Sequence, residues 1–445
     1  MKRILILGAG MVAHPIVNHL LTKNHFVTVA NPDVERANQL IHGFTTGKAV
    51  YWTIDDPESL ETMVADHDIT VSLLPFALHV NVAKACIKHR KPMVTTSYIS
   101  PEMQALDASA KEAGIIILNE MGLDPGIDHM SAMRIIDKIH DRGGVVEEFY
   151  SFCGALPAPE AADNPFKYKF SWSPKGVIMA GNNDARYLHQ GQIVDLPTKD
   201  LFKHPIVVDF DTVGKLEVYP NRDSVAYMDI YGIPEARTMM RGTFRYEGWC
   251  ESMDLIKRLG LISSQIIDMK EMAYADLLAH TAGINNIPGL RAEIAEKFDI
   301  SPDSKGLEAL AWLGYFSDEP IGREVETPFE VTSDLMISKM DLGLHERDMV
   351  VMQHTFLVLG ANGEKEVIRS RMLDFGSPAT DTSVARTVAL PAALAVEMIL
   401  SGNISEMGVF RPVIPAIYHP VLSELEKLNI RITEEFGLPE SENIR

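Results

Sequence analysis

The first 120 residues alternate short, unbroken apolar runs with longer stretches in which apolar positions recur every three to four residues. The runs are Ile4–Leu7, Phe26–Ala30, Lys48–Thr53, Ile69–Leu73, Met93–Thr96 and Ile115–Leu118. Short apolar runs of this kind read as strands covered on both faces. Between them lie segments of helical length and period, such as Ala77–His89 and Pro101–Ala113, with no proline in their interiors. Six strands separated by helices predict a parallel, doubly wound sheet with right-handed crossovers. Ligands on such a sheet gather at the carboxyl ends of its strands. Those ends carry Gly8–Val12, Asn31-Pro32-Asp33, Leu74-Pro75-Phe76, Thr95-Thr96-Ser97-Tyr98 and Asn119-Glu120-Met121-Gly122.

The first of these ends is the most specific. Ile4-Leu5-Ile6-Leu7-Gly8-Ala9-Gly10-Met11-Val12-Ala13 runs from a buried strand through a glycine turn into a helix. Gly8, Gly10 and Ala13 form a G-x-G-x-x-A dinucleotide fingerprint. The first glycine permits the turn, the second lets a pyrophosphate approach the backbone, and the small third residue lets helix and sheet pack closely. Free N–H groups at the helix start then face the phosphates. The expected cofactor is NAD or NADP, and the residues at the end of the second strand leave both open. Asn31 ends the second strand without the acid that would hold an NAD ribose, Asp33 could reach that ribose or cap the next helix, and Arg36 could contact a phosphate.

Beyond residue 120 the rhythm changes. A helix over Ile127–His140 leads to a strand around Glu147–Phe152 and an irregular stretch, Gly154–Lys175, rich in proline, alanine and aromatics. Residues 205–249 mix strand signals with a turn at Tyr219-Pro220-Asn221-Arg222-Asp223, and residues 251–316 are mostly helical, broken at Gly260 and Pro288-Gly289. Met349–Leu359 and Glu366–Asp374 alternate around Ala361-Asn362-Gly363-Glu364, a hairpin signal, and Ser383–Leu400 is helical. The predicted plan is α/β. It has an N-terminal Rossmann domain over 1–122, to which helices of about 385–445 return. A central α/β substrate domain covers 123–250 and 345–384, and a helical insertion domain covers 251–344.

Composition narrows the partners. At 445 residues the chain exceeds one ordinary domain, and a net charge of −20 speaks against general affinity for nucleic acid or anionic membrane. An anionic substrate must therefore meet local arginines set against an unfavourable global field. Cys86, Cys153 and Cys250 are odd in number and lack metal-ligand spacing, so no metal is expected and a reducing cytoplasm is the simplest setting. Met1-Lys2-Arg3 is expected to precede a first strand and not to open a signal peptide, because the glycine fingerprint interrupts the apolar run. Val384–Leu400 contains Arg386, Pro391 and Glu397 and reads as a buried or amphipathic helix instead of a membrane span.

Candidate chemistry concentrates in Asn119–His129, which sets carboxylates and an imidazole around a Pro-Gly turn just past the sixth strand. Asp128 is expected to cap the following helix and His129 to pack on it, whereas Asp124 is expected to be functional. With Ser97 and Tyr98 it places titratable groups at the mouth of the nucleotide cleft.

These segments carry a resemblance. Thr95-Thr96-Ser97-Tyr98, Gly122-Leu123-Asp124-Pro125-Gly126-Ile127-Asp128-His129 and Cys153-Gly154-Ala155-Leu156-Pro157-Ala158-Pro159-Glu160 resemble saccharopine dehydrogenases of the glutamate-forming kind. So do Asp163-Asn164-Pro165, Tyr168-Lys169-Phe170-Ser171-Trp172-Ser173, Tyr219-Pro220-Asn221-Arg222-Asp223-Ser224 and Arg241-Gly242-Thr243-Phe244-Arg245-Tyr246, so the likeness covers nearly the whole chain. The resemblance implies a homodimer with Rossmann, substrate and dimerisation, and helical domains. It implies interconversion of saccharopine plus oxidised cofactor with glutamate plus 2-aminoadipate 6-semialdehyde. It further implies that saccharopine contacts Ser97, Tyr98, Asp124, Arg222, Thr243, Phe244 and Arg245. The dinucleotide would contact Gly8, Ala9, Gly10, Met11 and Val12, the strand ends at Asn31 and Leu74, and Trp172. Pro32 departs from the family, which often has an arginine there.

The chemistry asks for the same residue types. Oxidising a secondary amine leaves an imine that water opens, which needs proton carriers; Asp124 and Tyr98 are the candidates, with Cys153 a third. Arg222 and Arg245 can grip carboxylates through a bidentate fork. Two other readings stay open: a sister enzyme acting on another secondary amine, against which those arginines argue, and a catalytically silent dinucleotide-binding scaffold.

Overall fold

The computed structural model describes residues 1–285 and 287–444. The chain forms two compact units, one of residues 1–145, 359–364 and 370–436, the other of residues 146–358, 365–369 and 437–445.

In the first unit the six apolar runs become β1 (Arg3–Leu7), β2 (Phe26–Asn31), β3 (Gly47–Tyr51), β4 (Ile69–Ser72), β5 (Met93–Thr95) and β6 (Ile116–Leu118). They lie in one parallel sheet, β6-β5-β4-β1-β2-β3, with Gly408–Phe410 added beside β6 as a seventh strand. That edge strand is three residues long and carries no pattern of its own, so the sequence does not announce it. Strand order reverses between β1 and β4, which opens a crevice at their carboxyl ends. Ile4–Leu7 have no solvent exposure because helices cover both faces of the sheet. One of these is Ser383–Ser401, the one helix among the described residues long and apolar enough to cross a membrane. It packs on helix Ala13–Thr22, and 72% of its most apolar window is buried.

One helix differs from its pattern. Pro101–Ala113 is two pieces, Pro101–Gln104 and Asp107–Ala113. Ser100 caps the first piece by accepting the Met103 N–H at 3.1 Å. Asp107 opens the second piece, and its carboxylate accepts the Val409 N–H at 2.9 Å, which ties this helix to the edge strand.

In the second unit a mixed sheet runs in the order Ile206–Phe210, Gly214–Pro220, Thr238–Tyr246, Val145–Pro157, Asp348–Leu359. Thr238–Tyr246 is parallel to Val145–Pro157 and antiparallel to Gly214–Pro220. The strand expected at Glu147–Phe152 thus continues through Gly154, part of the stretch read as irregular. Gly154 belongs there because a Cβ would lie 2.7 Å from the Phe244 carbonyl oxygen on the adjacent strand. Residues 251–344 also fall in this unit, with helices Trp249–Arg258, Tyr274–Ala282, Leu290–Lys297, Lys305–Leu313 and Pro328–Lys339.

Candidate active site

The glycine turn after β1 is built to receive an anion. Gly8 has φ +107°, and a Cβ there would sit 3.0 Å from the Leu73 carbonyl oxygen, so only glycine fits. The Gly8 N–H donates to Ala30 O at 3.0 Å and the Ala13 N–H to Gly10 O at 3.1 Å. The Ala9 N–H donates to Asn31 Oδ1, also at 3.1 Å. Among the described residues, the amides of Gly10, Met11 and Val12 have no protein acceptor. Above Gly10 there is open space, with nothing within 4 Å of where a Cβ would be. Free amides, open space and a helix start together fit a pyrophosphate.

Asn31 has a second task. Its Nδ2 donates to Asp33 O at 3.1 Å, so one side chain ties the loop after β2 to the glycine turn. Asp33 caps helix Val34–Leu40, its Oδ1 accepting the Arg36 N–H at 3.0 Å. The Arg36 side chain is exposed beside it. This strand end therefore offers an exposed arginine, the group that suits a 2′-phosphate, beside a capping carboxylate. Leu74, at the end of β4, is half-buried against the core.

The loops after β5 and β6 carry the candidate proton carriers. They continue the sheet: the Met121 N–H donates to Thr95 O and the Glu120 N–H to Ser97 O, each at 3.1 Å. This brings the Tyr98 hydroxyl to Asp124, where it donates to Oδ1 at 2.8 Å. Asp124 stands in a loop folded back on itself, with Gly122 N–H to Pro125 O at 3.0 Å and Ile127 N–H to Gly122 O at 2.9 Å. Gly126 adopts φ +150°, and a Cβ there would collide with the Gly122 backbone. The Asp124–Pro125 peptide bond is cis.

Under this loop lies a buried polar network. Asp128 Oδ1 accepts the Gly126 N–H at 2.6 Å and Oδ2 lies 3.4 Å from His129 Nδ1, so this pair serves the loop and the helix start. His129 Nε2 lies 2.9 Å from Glu120 Oε2. Glu120 Oε1 accepts the Ile99 N–H at 2.9 Å and faces Arg411 Nε at 3.3 Å. Burial alone would raise the Glu120 pKa, but His129, Arg411 and the Ile99 N–H outweigh it and hold the carboxyl at about 2. This carboxylate joins the Tyr98 loop to the Asp124 loop. His79 lies beneath Ser97, its Nε2 2.7 Å from the Ser97 Oγ. Sequence reasoning gives no individual role to His79, Glu120 or Arg411; Glu120 stands in the carboxylate-bearing Asn119–His129 segment, and His79 and Arg411 are polar residues between apolar ones.

The second unit holds the arginines. Arg245 is 3% exposed, its guanidinium 4.9 Å from the Tyr168 ring centre, 5.1 Å from Trp249 and 5.8 Å from Tyr219. Its Nη1 donates to Phe244 O at 2.8 Å, its Nε is buried without a partner, and among the described residues no carboxylate lies within ion-pair distance. Aromatic faces stabilise such a cation without neutralising it. Thr243 and Arg245 alternate with Phe244, so they share a sheet face that Phe244 does not. The Phe244 ring is fully buried, edge-on to Phe152 at 5.7 Å and to Phe210 at 6.0 Å. Phe244, expected within the substrate-contacting Thr243–Arg245 segment, thus has its ring in the core.

Cys153 is buried on the neighbouring strand, paired in register with Thr243. Trp172 is half-buried, with its indole N–H enclosed. Arg222 has an exposed side chain on a backbone at φ +53°, and its carbonyl accepts the Arg186 N–H at 2.8 Å. The adjacent Asp223 turns its Oδ1 to the Val225 N–H at 2.8 Å.

Comparison with known proteins gives a consistent picture. Residues 4–118 match the saccharopine dehydrogenase NADP binding domain and residues 122–430 the saccharopine dehydrogenase C-terminal domain. The chain is 36% identical over 460 residues to saccharopine dehydrogenase (NADP(+), L-glutamate-forming) of Schizosaccharomyces pombe, spanning 98% of this chain and 99% of that protein. It is equally similar, at 36% over 444 residues, to the mitochondrial alpha-aminoadipic semialdehyde synthase of Bos taurus, of which it spans 48%. The apo saccharopine dehydrogenase (L-Glu forming) of Saccharomyces cerevisiae superposes with a TM-score of 0.91 at 36% identity, over 98% of this chain and 100% of that one. The chain belongs to the saccharopine dehydrogenase family.

Proposed function

We propose that this protein is an NADP-dependent, L-glutamate-forming saccharopine dehydrogenase, interconverting saccharopine with L-glutamate and 2-aminoadipate 6-semialdehyde. The observation that carries this reading is the Tyr98–Asp124 pair, hydrogen-bonded at 2.8 Å, at the same edge of the sheet as the glycine turn.

NADP supplies a hydride acceptor for the carbon beside the secondary amine. The residues of the chain bind and handle protons. Gly10, Met11 and Val12 hold the pyrophosphate through their amides, and Arg36 reaches the 2′-phosphate. Asp124 takes the proton that the substrate nitrogen sheds before hydride leaves, and Tyr98 relays protons as water opens the imine. Cys153 is a third, less accessible proton carrier. Saccharopine is a tricarboxylate, and Arg222, Thr243 and Arg245 are matched to its carboxylates; the unneutralised guanidinium of Arg245 supports that assignment. Trp172 is assigned to the dinucleotide. The reading extends to a homodimer in a reducing cytoplasm, supported by the family resemblance and by three cysteines that form no disulfide among the described residues.

The test is the absorbance of reduced cofactor with saccharopine as substrate, comparing NADP with NAD. Saccharopine-dependent NADP reduction, with glutamate as a product, is expected. No reduction with either cofactor would sink the reading. Sedimentation of the purified protein tests the dimer.

A further inference from the structure

We propose that His79 is a positioning residue that turns the Ser97 hydroxyl into a hydrogen-bond donor aimed at a substrate carboxylate. This rests on the reading above that Ser97 contacts substrate.

His79 opens helix His79–His89 and is 3% exposed, between the ends of β4 and β5. Its Nδ1 lies 2.8 Å from Ser72 Oγ and 3.5 Å from Thr95 Oγ1, and its Nε2 lies 2.7 Å from Ser97 Oγ. Burial pulls its pKa down to about 4, so the ring is neutral near pH 7 and carries one N–H and one lone pair.

The surroundings decide which nitrogen holds the proton. Thr95 Oγ1 accepts the Ser97 N–H at 3.4 Å, which leaves its own proton to point toward Nδ1. Ser72 Oγ likewise has a proton to give to Nδ1. Two hydroxyls converging on one nitrogen are satisfied by a bare Nδ1, which places the ring proton on Nε2. His79 then donates to Ser97 Oγ.

Ser97 can be accounted for completely. Its N–H goes to Thr95, its carbonyl accepts the Glu120 N–H at 3.1 Å, and its Oγ accepts from His79. The hydroxyl proton is left over, directed away from the imidazole on a half-buried residue adjoining Tyr98. A donor held this way favours a carboxylate and disfavours an ammonium group. Ser97 thereby selects the anionic end of a substrate, and His79 sets that selectivity without touching it.

Two substitutions separate this from a merely structural imidazole. Gln in His79→Gln puts an amide near the place of Nε2, keeping a partner for Ser97. Asn in His79→Asn puts it near the place of Nδ1, keeping only Ser72 and Thr95. The proposal expects His79→Gln to stay within a few-fold of wild type. His79→Asn should raise the saccharopine KM by about 10- to 100-fold, the worth of a hydrogen bond to a charged group, with kcat and the NADP KM little changed. Ser97→Ala should match it, and the double variant should be no worse than Ser97→Ala alone.

Equal effects of Gln and Asn, or full additivity with Ser97→Ala, would overturn the role of His79 while leaving Ser97 a substrate contact. A Ser97→Ala variant with unchanged saccharopine KM would overturn both. Should the His79 variants fail to fold, nitrogen NMR of wild-type protein labelled at histidine still decides. An Nε2–H tautomer is expected, and an Nδ1–H tautomer defeats the proposal.

Discussion

Tyr98 points its hydroxyl proton at Asp124 Oδ1, so a proton can pass between phenol and carboxylate without either side chain moving. Asp124→Asn keeps the size of the side chain but removes the charge that accepts a proton. Turnover should fall by about 10²-fold, with a small change in the saccharopine KM. If only KM rises, Asp124 is a binding residue and proton transfer belongs elsewhere. Arg222 poses a different question, because an arginine beside Asp223 reads equally well as a structural ion pair. Asp223 Oδ1 accepts the Val225 N–H, and the two roles of Arg222 are separated by experiment. Arg222→Lys keeps charge but loses the fork, so a raised saccharopine KM is expected at unchanged melting temperature. A drop in melting temperature with normal kinetics would return Arg222 to structure. That Tyr98 and Asp124 fall close together was legible in the sequence, because strand ends and a Pro-Gly turn fix where they stand, whereas Asp128, expected as a cap, lies inside the helix whose N-cap is Gly126 and turns its carboxylate back to the Gly126 N–H. Glu120 and His79 were not legible, since their meaning depends on partners brought close by folding; Arg411 is 291 residues from Glu120.

At the scale of elements, the glycine turn and the paired loops after β5 and β6 do separable work. Gly10 has open space where its Cβ would be, so Gly10→Val should fold normally and yet block the approach of a pyrophosphate. Cofactor binding by fluorescence quenching should be lost; unchanged affinity would remove the turn from the site. Glu120, in contrast, holds two loops together from inside. Glu120→Gln leaves His129 and Arg411 facing a neutral group, and breaking a buried charge pair is destabilising by about 3–5 kcal/mol. A lower melting temperature together with lower kcat is expected, and normal turnover would show that the loops hold their places without it. Element boundaries were readable wherever burial and period coincided, as in β1 to β6. They failed where a distant contact decides. Near the break in Pro101–Ala113, Asp107 reaches the edge strand, and along Val145–Pro157 Phe244 lies against Gly154.

For the molecule as a whole, several buried groups share a preference for neutral pH, and their windows differ. The folded pKa of His79 is about 4, below its ordinary 6.5, because burial disfavours the charged ring. Its contribution is fully present above pH 6.5, where neither state is protonated. It is lost as pH falls through 6.5 toward 4, because the unfolded chain takes up the proton first. The difference corresponds to about 3 kcal/mol, a large share of the stability of an ordinary domain. His67 is lowered by burial as well and acts in the same direction. Glu120 works at a lower pH, its stabilisation intact above the ordinary carboxylate value of 4.5 and lost as pH falls toward 2. His14, raised by its bond to Asp381, runs the other way and loses its contribution as pH rises. The melting temperature should therefore begin to fall below about pH 6.5, before most carboxylates titrate. In His79→Gln the curve should start lower at neutral pH yet fall less steeply between pH 6.5 and 4, by the slope of one proton. Melting curves of wild type and variant across that range are the check, and parallel curves would mean that His79 is not held neutral in the folded protein.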